Sequence, residues 1–159
     1  MRAVSIPLDA SGNLSIMPHP PGHDQLRAAT HDIRALPTQH LVSLLTSEEI
    51  TRLGLNAEAE LFEALGGQFQ NFSIPDRGIP NHAHDFLVLG GILLDALTAG
   101  EGVLIHCWGG VGRSGLLACS ILCLSGVAPR GAIDTVTTSR GLTSPETQVQ
   151  RDFLYQTFR

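Results

Sequence analysis

The sequence predicts a single α/β domain with a short, mostly parallel central sheet flanked by helices. Three observations carry that expectation. Short apolar strands alternate with helical segments, the order that builds parallel sheets. The 159 residues suit one domain, which at this size buries roughly 68–70% of its unfolded surface without staples. Hydrophobic residues make up 43% and charged residues 16%, which excludes a disordered or collagen-like chain. One domain is therefore expected over residues 1–159, with 1–23 as an extended, proline-rich N-terminal segment.

That segment carries Pro7, Pro18, Pro20, Pro21 and Gly22, and a short strand is expected around Leu14–Met17. Gln25–Leu36 reads as a helix, and the apolar run His40–Leu45 as a buried strand. Thr46-Ser47-Glu48-Glu49 is a capping-box signature for a short helix that stops at Gly54. Asn56 is placed to cap a helix over Ala57–Leu65. Gln68–Ile74 alternates apolar and polar residues, as a half-buried strand does. Pro75–Asn81 reads as a loop and His82–Thr98 as a long amphipathic helix ended by Ala99-Gly100. Gly102–His106 is a buried strand, Gly109–Gly112 a glycine-rich loop, and Arg113–Leu124 an apolar helix. A helix over Pro129–Ser139 follows. Ser144-Pro145 is expected to cap and open the last helix, which runs through Phe158.

The net charge is −5. Residues 1–112 hold 5 Arg and 12 acids, and residues 113–159 hold 5 Arg and 3 acids; the chain has no Lys. A net acidic chain without a basic run argues against nucleic acid as a partner. The longest apolar stretches, Phe86–Leu97 and Gly115–Val127, are too short to span a bilayer. Met1–Pro7 lacks the apolar run of a signal peptide. No membrane partner and a cytoplasmic location are expected.

The three cysteines, Cys107, Cys119 and Cys123, form no Cys-x-x-Cys pair and are expected to be free thiols. Cys119 and Cys123 share one helix face and read as small core residues. Cys107 differs. A buried strand delivers it to a carboxyl end, where open α/β sheets bind ligands. Trp108, Gly109, Gly110, Val111 and Gly112 follow, and a helix begins at Arg113. Glycines let the backbone turn its N–H groups inward as a nest for an anion. The helix N-terminus adds free N–H groups and a positive dipole end. Five residues between Cys107 and Arg113 can wrap a tetrahedral oxyanion, with sulfur at the floor and guanidinium at the rim. Arg can hold two oxygens at once through its planar fork. The same amides favour a thiolate. Residues 108–113 are therefore the expected phosphate-binding loop, and Cys107 and Arg113 are catalytic candidates.

His106-Cys107-x5-Arg113-Ser114 resembles the signature of cysteine-dependent protein phosphatases of the tyrosine and dual-specificity class, over roughly residues 40–155. Ile74–Pro80, Trp108–Gly112 and Glu146-Thr147-x-x-Gln150 are most similar to the group that associates with cyclin-dependent kinases and its bacterial relatives. The resemblance implies a dual-specificity-phosphatase-like fold, a phosphorylated protein as partner and a phospho-cysteine intermediate. Asp76 is the best proton donor for the leaving oxygen, and the resemblance implies an acid on a mobile loop. Its alternative is a plain turn with Gly78. The resemblance implies that Ser114 donates to the departing sulfur; its alternative is a helix N-terminal serine. Gln150 would place the attacking water, or simply face solvent.

His106 leaves its strand opposite Cys107 and is expected to fix the loop rather than move a proton. Trp108 either rims the pocket or covers the loop. Arg77 either meets a second anion on substrate or lies on the surface. His82-Ala83-His84-Asp85 is read as a polar helix start rather than a metal edge. The chemistry requires no metal or organic cofactor. The loop lacks the Lys typical of phosphoinositide enzymes in this class. A substrate with phosphotyrosine, and with phosphoserine or phosphothreonine, is expected. Two alternatives stay open: a catalytically silent phosphate-recognition module, and other thiolate chemistry such as arsenate reduction or sulfur transfer.

Overall fold

The computed structural model describes residues 2–159; Met1, the first residue of the expected N-terminal segment, lies outside them. Five strands form one sheet in the order β1-β2-β5-β3-β4. They are β1 (Val4–Ile6), β2 (Leu14–Met17), β3 (His40–Ser43), β4 (Gln68–Asn71) and β5 (Val103–His106). Only β1 pairs antiparallel; β2–β5, β5–β3 and β3–β4 are parallel. The helices are α1 (Leu26–Ala35), α2 (Ser47–Arg52), α3 (Glu58–Ala64), α4 (Ala83–Thr98), α5 (Arg113–Leu124), α6 (Pro129–Arg140) and α7 (Gln148–Thr157).

A parallel strand buried on both faces alternates its side chains between two cores. Val103, Ile105 and Cys107 enter the larger core with Ile16 and Val42 and with apolar residues of α4–α7. Leu104 enters the smaller one with Met17, Leu41, Ile33 of α1 and Phe62 of α3. β5 lies between β2 and β3, and the chain leaves β3 outward to β4. The crevice beyond β3 and β5 is thus a topological switch point, where such sheets bind ligands. β3 and β5 end level there, with Ser43 opposite His106.

Several boundaries differ from the sequence reading. β1 was not expected; its three residues are too few to show a period. The expected strand His40–Leu45 stops at Ser43, and Gln68–Ile74 stops at Asn71. Asn56 caps nothing, since Ala57 holds the N-cap of α3 without a side-chain bond. His82 likewise occupies the N-cap of α4 without donating or accepting there. Ser144-Pro145, a cis bond, does not open the last helix. α7 starts at Gln148, and Thr147 with Gln150 makes its capping box. The box at Thr46 and Glu49 forms on α2 as expected.

Phe62 is fully buried in the smaller core. Phe62→Ala should lower stability by about 3–5 kcal/mol. Urea unfolding will show it as a lower midpoint at an unchanged slope.

Candidate active site

The loop Cys107–Arg113 joins β5 to α5. Its shape is set from outside, one carbonyl at a time. His106 Nδ1 lies 3.4 Å from the Cys107 oxygen. The His19 N–H donates to the Trp108 oxygen at 3.1 Å. Arg140 Nη2 donates to the Gly109 oxygen at 3.1 Å and its Nε to the Gly110 oxygen at 3.0 Å. Ser144 Oγ donates to the Val111 oxygen at 2.6 Å. The Leu116 N–H donates to the Gly112 oxygen at 2.9 Å. In a trans peptide the carbonyl and the following N–H point opposite ways. Six carbonyls held outward therefore turn the N–H groups of residues 108–113 inward. None of these six amides donates to a protein acceptor among the described residues. A ring of free N–H groups at a helix N-terminus is a receptor for a tetrahedral oxyanion.

Two glycines are dictated by this geometry. Gly110 has φ +69°, and a Cβ there would lie 2.3 Å from the Met17 carbonyl carbon. A Cβ on Gly115 would lie 2.0 Å from Ser144 Oγ, the atom that holds Val111. Residues 17–19 thus form the wall behind the loop, which gives the N-terminal segment a structural role that the sequence left open.

Cys107 stands at the loop's base, 2% exposed. His106 points to the other face of the sheet, as its strand position predicts, and Nε2 lies 2.8 Å from Glu58 Oε2 on α3. Both side chains are buried. Ser114 Oγ is fully buried and has no hydrogen-bond partner among the described residues. A buried hydroxyl without a partner is costly unless something at the site uses it.

Arg113 is 2% exposed, and both its Nη groups are fully engaged. Nη1 donates to Glu49 Oε1 at 2.7 Å and to the Ile74 oxygen at 2.9 Å. Nη2 donates to Glu49 Oε2 at 2.9 Å and to Asp76 Oδ1 at 3.2 Å. Burial works against both charges of the Arg113–Glu49 pair. The mutual hydrogen bonds outweigh it, with Cys107 and Asp76 aiding the arginine and Thr46 the glutamate. Arg113 is held above, and Glu49 below, its ordinary value. Since Glu49 occupies the outer edge of the guanidinium, a two-oxygen grip on an anion must use Nε and Nη2. Asp76 would then release Nη2 as the anion arrives.

The Asp76 side chain is 63% exposed. With Pro75 and Trp108 it lines a cavity of about 440 Å³ that reaches toward Thr46, Glu48, Glu49 and Arg52 of the α2 region. Trp108 is 38% exposed and meets His19 edge-on, so it rims the pocket. Arg77 faces away from this cavity and pairs with Glu146 at 3.3 Å. Gln150 is fully buried rather than solvent-facing. Its Oε1 accepts from the Thr147 N–H, and its Nε2 donates to the Gly78 oxygen at 3.0 Å. One N–H of its amide remains uncommitted beside the loop, where the Nε2 would lie 3.2 Å from a Cβ on Gly112.

The structure thus gathers Cys107, Arg113, Ser114, Asp76 and Gln150 around one loop. Sequence reasoning missed Glu49, Glu58, Arg140 and Ser144 as parts of it. Glu49 was visible only as a helix cap. Arg140 and Ser144 act from 30 to 33 positions away on backbone oxygens, and Glu58 acts from 48 positions away on the His106 imidazole. No group of three or more His, Cys, Asp or Glu able to hold a metal occurs among the described residues.

Comparison with known proteins adds to this geometry. The family model for Cyclin-dependent kinase inhibitor 3 (CDKN3) matches residues 22–133. The mouse protein of that name is 29% identical over 128 residues, which are 80% of this chain and 60% of the mouse protein. The chain therefore spans less than two thirds of that relative's length. Among solved structures, a kinase associated phosphatase with serine replacing its catalytic-site cysteine matches at TM-score 0.90 and 22% identity. That match covers 99% of this chain and 93% of the other. The active form of Tk-PTP matches at TM-score 0.74 and 27% identity, covering 98% and 97%.

Gly110→Ala should weaken vanadate binding at least about tenfold, because the left-handed backbone and the Met17 wall both oppose it. Trp108 fluorescence will read the affinity, and an unchanged far-UV spectrum will show that the fold survives. Equal affinity in both proteins would contradict the loop geometry. A second expectation concerns acid. The depressed Glu49 makes its pair's contribution fully present above the ordinary carboxylate range. That contribution is lost as pH falls through the lower folded value. Urea midpoints of wild type and Glu49→Gln should differ at pH 7 and draw together as the pH falls below the ordinary carboxylate range.

Proposed function

The chain belongs to the Cyclin-dependent kinase inhibitor 3 family, in the tyrosine and dual-specificity phosphatase superfamily, and from that premise we propose that it hydrolyses phosphate esters of protein side chains through a phospho-cysteine. The observation that carries the reading is the ring of six inward N–H groups around Cys107, closed by Arg113 and faced by Asp76.

The substrate phosphate enters the ring, and its equatorial oxygens accept from the loop amides and from Nε and Nη2 of Arg113. Cys107 Sγ attacks phosphorus as the bond to the leaving oxygen breaks. Asp76 gives that oxygen its proton, so the alcohol or phenol departs neutral. The phosphoryl group then sits on sulfur. Water attacks it and loses its proton to Asp76; the S–P bond breaks and inorganic phosphate leaves. Ser114 Oγ, with no other partner, donates to the sulfur as negative charge returns to it. The uncommitted N–H of Gln150 orients the water. No metal or organic cofactor enters these steps.

Trp108 and Pro75 offer flat apolar walls for the ring of phosphotyrosine. Phosphoserine and phosphothreonine are included in the proposed substrate class. The names of the relatives point to a phosphorylated kinase as the partner class.

Phosphate release from p-nitrophenyl phosphate over pH 5–8, in the presence of EDTA, tests the reading. The wild type should turn over. Cys107→Ser should lose activity by at least about a thousandfold, and Asp76→Ala should flatten the basic limb of the profile. A wild type that binds vanadate without turnover would be a phosphate-recognition module. One that does neither would overturn the assignment of the loop.

A further inference from the structure

We infer that Glu146 and Thr147 are positioning residues for Asp76, holding its turn from the N-terminus of α7; this rests on Asp76 being the general acid proposed above. Asp76 itself is weakly placed. Its carboxylate is largely exposed and its one side-chain hydrogen bond among the described residues is to Arg113 Nη2, the group that a substrate would take over. Its position therefore depends on the backbone that carries it.

That backbone is a turn, closed by the Gly78 N–H donating to the Pro75 oxygen at 2.9 Å. Its third residue, Arg77, has φ +62°. A side chain larger than glycine is strained there, and such strain persists only where the surroundings over-determine the conformation. The surroundings do so on both sides. On entry, the Ile74 oxygen is held by Arg113. On exit, three contacts come from the first turn of α7 and the residue before its cap. Arg77 Nη1 pairs with Glu146 Oε2 at 3.3 Å. Thr147 Oγ1 donates to the Arg77 oxygen at 3.3 Å. Gln150 Nε2 donates to the Gly78 oxygen.

The hydroxyl of Thr147 is used twice, since it also accepts from the Gln150 N–H as the helix cap. The cap and the acid turn are thus one hydrogen-bonded unit. Its far end is fixed, because Phe153 and Leu154 bury α7 in the larger core. The acid turn is tied at three points, and Arg77 contributes its backbone oxygen and side chain to the tie.

The consequence falls on one class of substrate. An ester whose leaving group is a strong acid departs without a proton; phenol or an alkyl alcohol does not. Hydrolysis of the phospho-cysteine is common to both kinds, but kcat/KM reports only the steps through its formation, and there holding Asp76 should matter for the second kind alone. On the full chain, Glu146→Gln and Thr147→Val should each lower kcat/KM for phenyl phosphate by about threefold to tenfold, with less than about a twofold change in kcat/KM for 2,4-dinitrophenyl phosphate. Thr147→Ser should restore the wild-type ratio. Arg77→Gly relieves the backbone strain and removes the ion pair, so it should lower the same ratio while Tm stays level or rises. Equal losses on both esters would show a general structural effect and overturn the inference, as would unchanged ratios in all variants. A wild type inert toward both esters would remove the general acid, and with it this inference.

Discussion

Six N–H dipoles pointing at one centre repel one another, so the loop needs support from outside. The arrangement holds because each opposing carbonyl is bonded from behind. The donors come from β5 and from the residues that follow β2, from α5, from the end of α6, and from the segment that leads into α7. Most of the rest of the fold follows from supplying them. β2 must lie beside β5 so that residues 17–19 back the loop. α6 must end at Arg140 so that one guanidinium reaches two adjacent oxygens. Ser144 must reach Val111 at the point where Gly115 leaves room for no side chain.

The sheet divides labour between its faces. Alternation along β5 sends Cys107 toward α5 and the larger core, and His106 toward α3 and the smaller one. Cys107 is therefore braced from the opposite face by the buried His106–Glu58 pair. Arg113 shows the same economy of edges. One edge of its guanidinium is fixed by Glu49, and Nη2 also reaches the exposed carboxylate of Asp76. Glu49 in turn is fixed by Thr46, whose capping box ties the guanidinium's orientation to the start of α2.

The sequence made visible what is local. The Thr46–Glu49 box, the strand before Cys107, the glycines after it and the helix from Arg113 are short-range patterns with one physical meaning each, and the structure contains all of them. Pro145 misled because proline at a helix start is common; here the segment before α7 runs on to Thr147, whose box with Gln150 is the stronger signal. Asn56 misled because Ala57 holds the N-cap and the Glu58 N–H is taken by the Leu55 backbone oxygen instead. The clamps on the loop were not legible at all. Four join a side chain, and two a backbone N–H, to a backbone oxygen, and every residue has a backbone oxygen. Asp76 and Gln150 were found as motifs, yet their connection through Gly78 is a matter of three-dimensional distance.

Because the clamps come from so many parts of the chain, the loop acts as a reporter of the whole fold. By thermodynamic linkage the reverse also holds: an oxyanion that binds only the folded loop stabilises everything the loop is tied to. At a concentration a hundred times its dissociation constant, such an anion adds about 2.7 kcal/mol, a large share of a typical domain's stability. Under the proposed function, phosphate in a storage buffer would be a folding ligand as much as a product, and its removal on dilution into assay would lower the stability of the whole molecule.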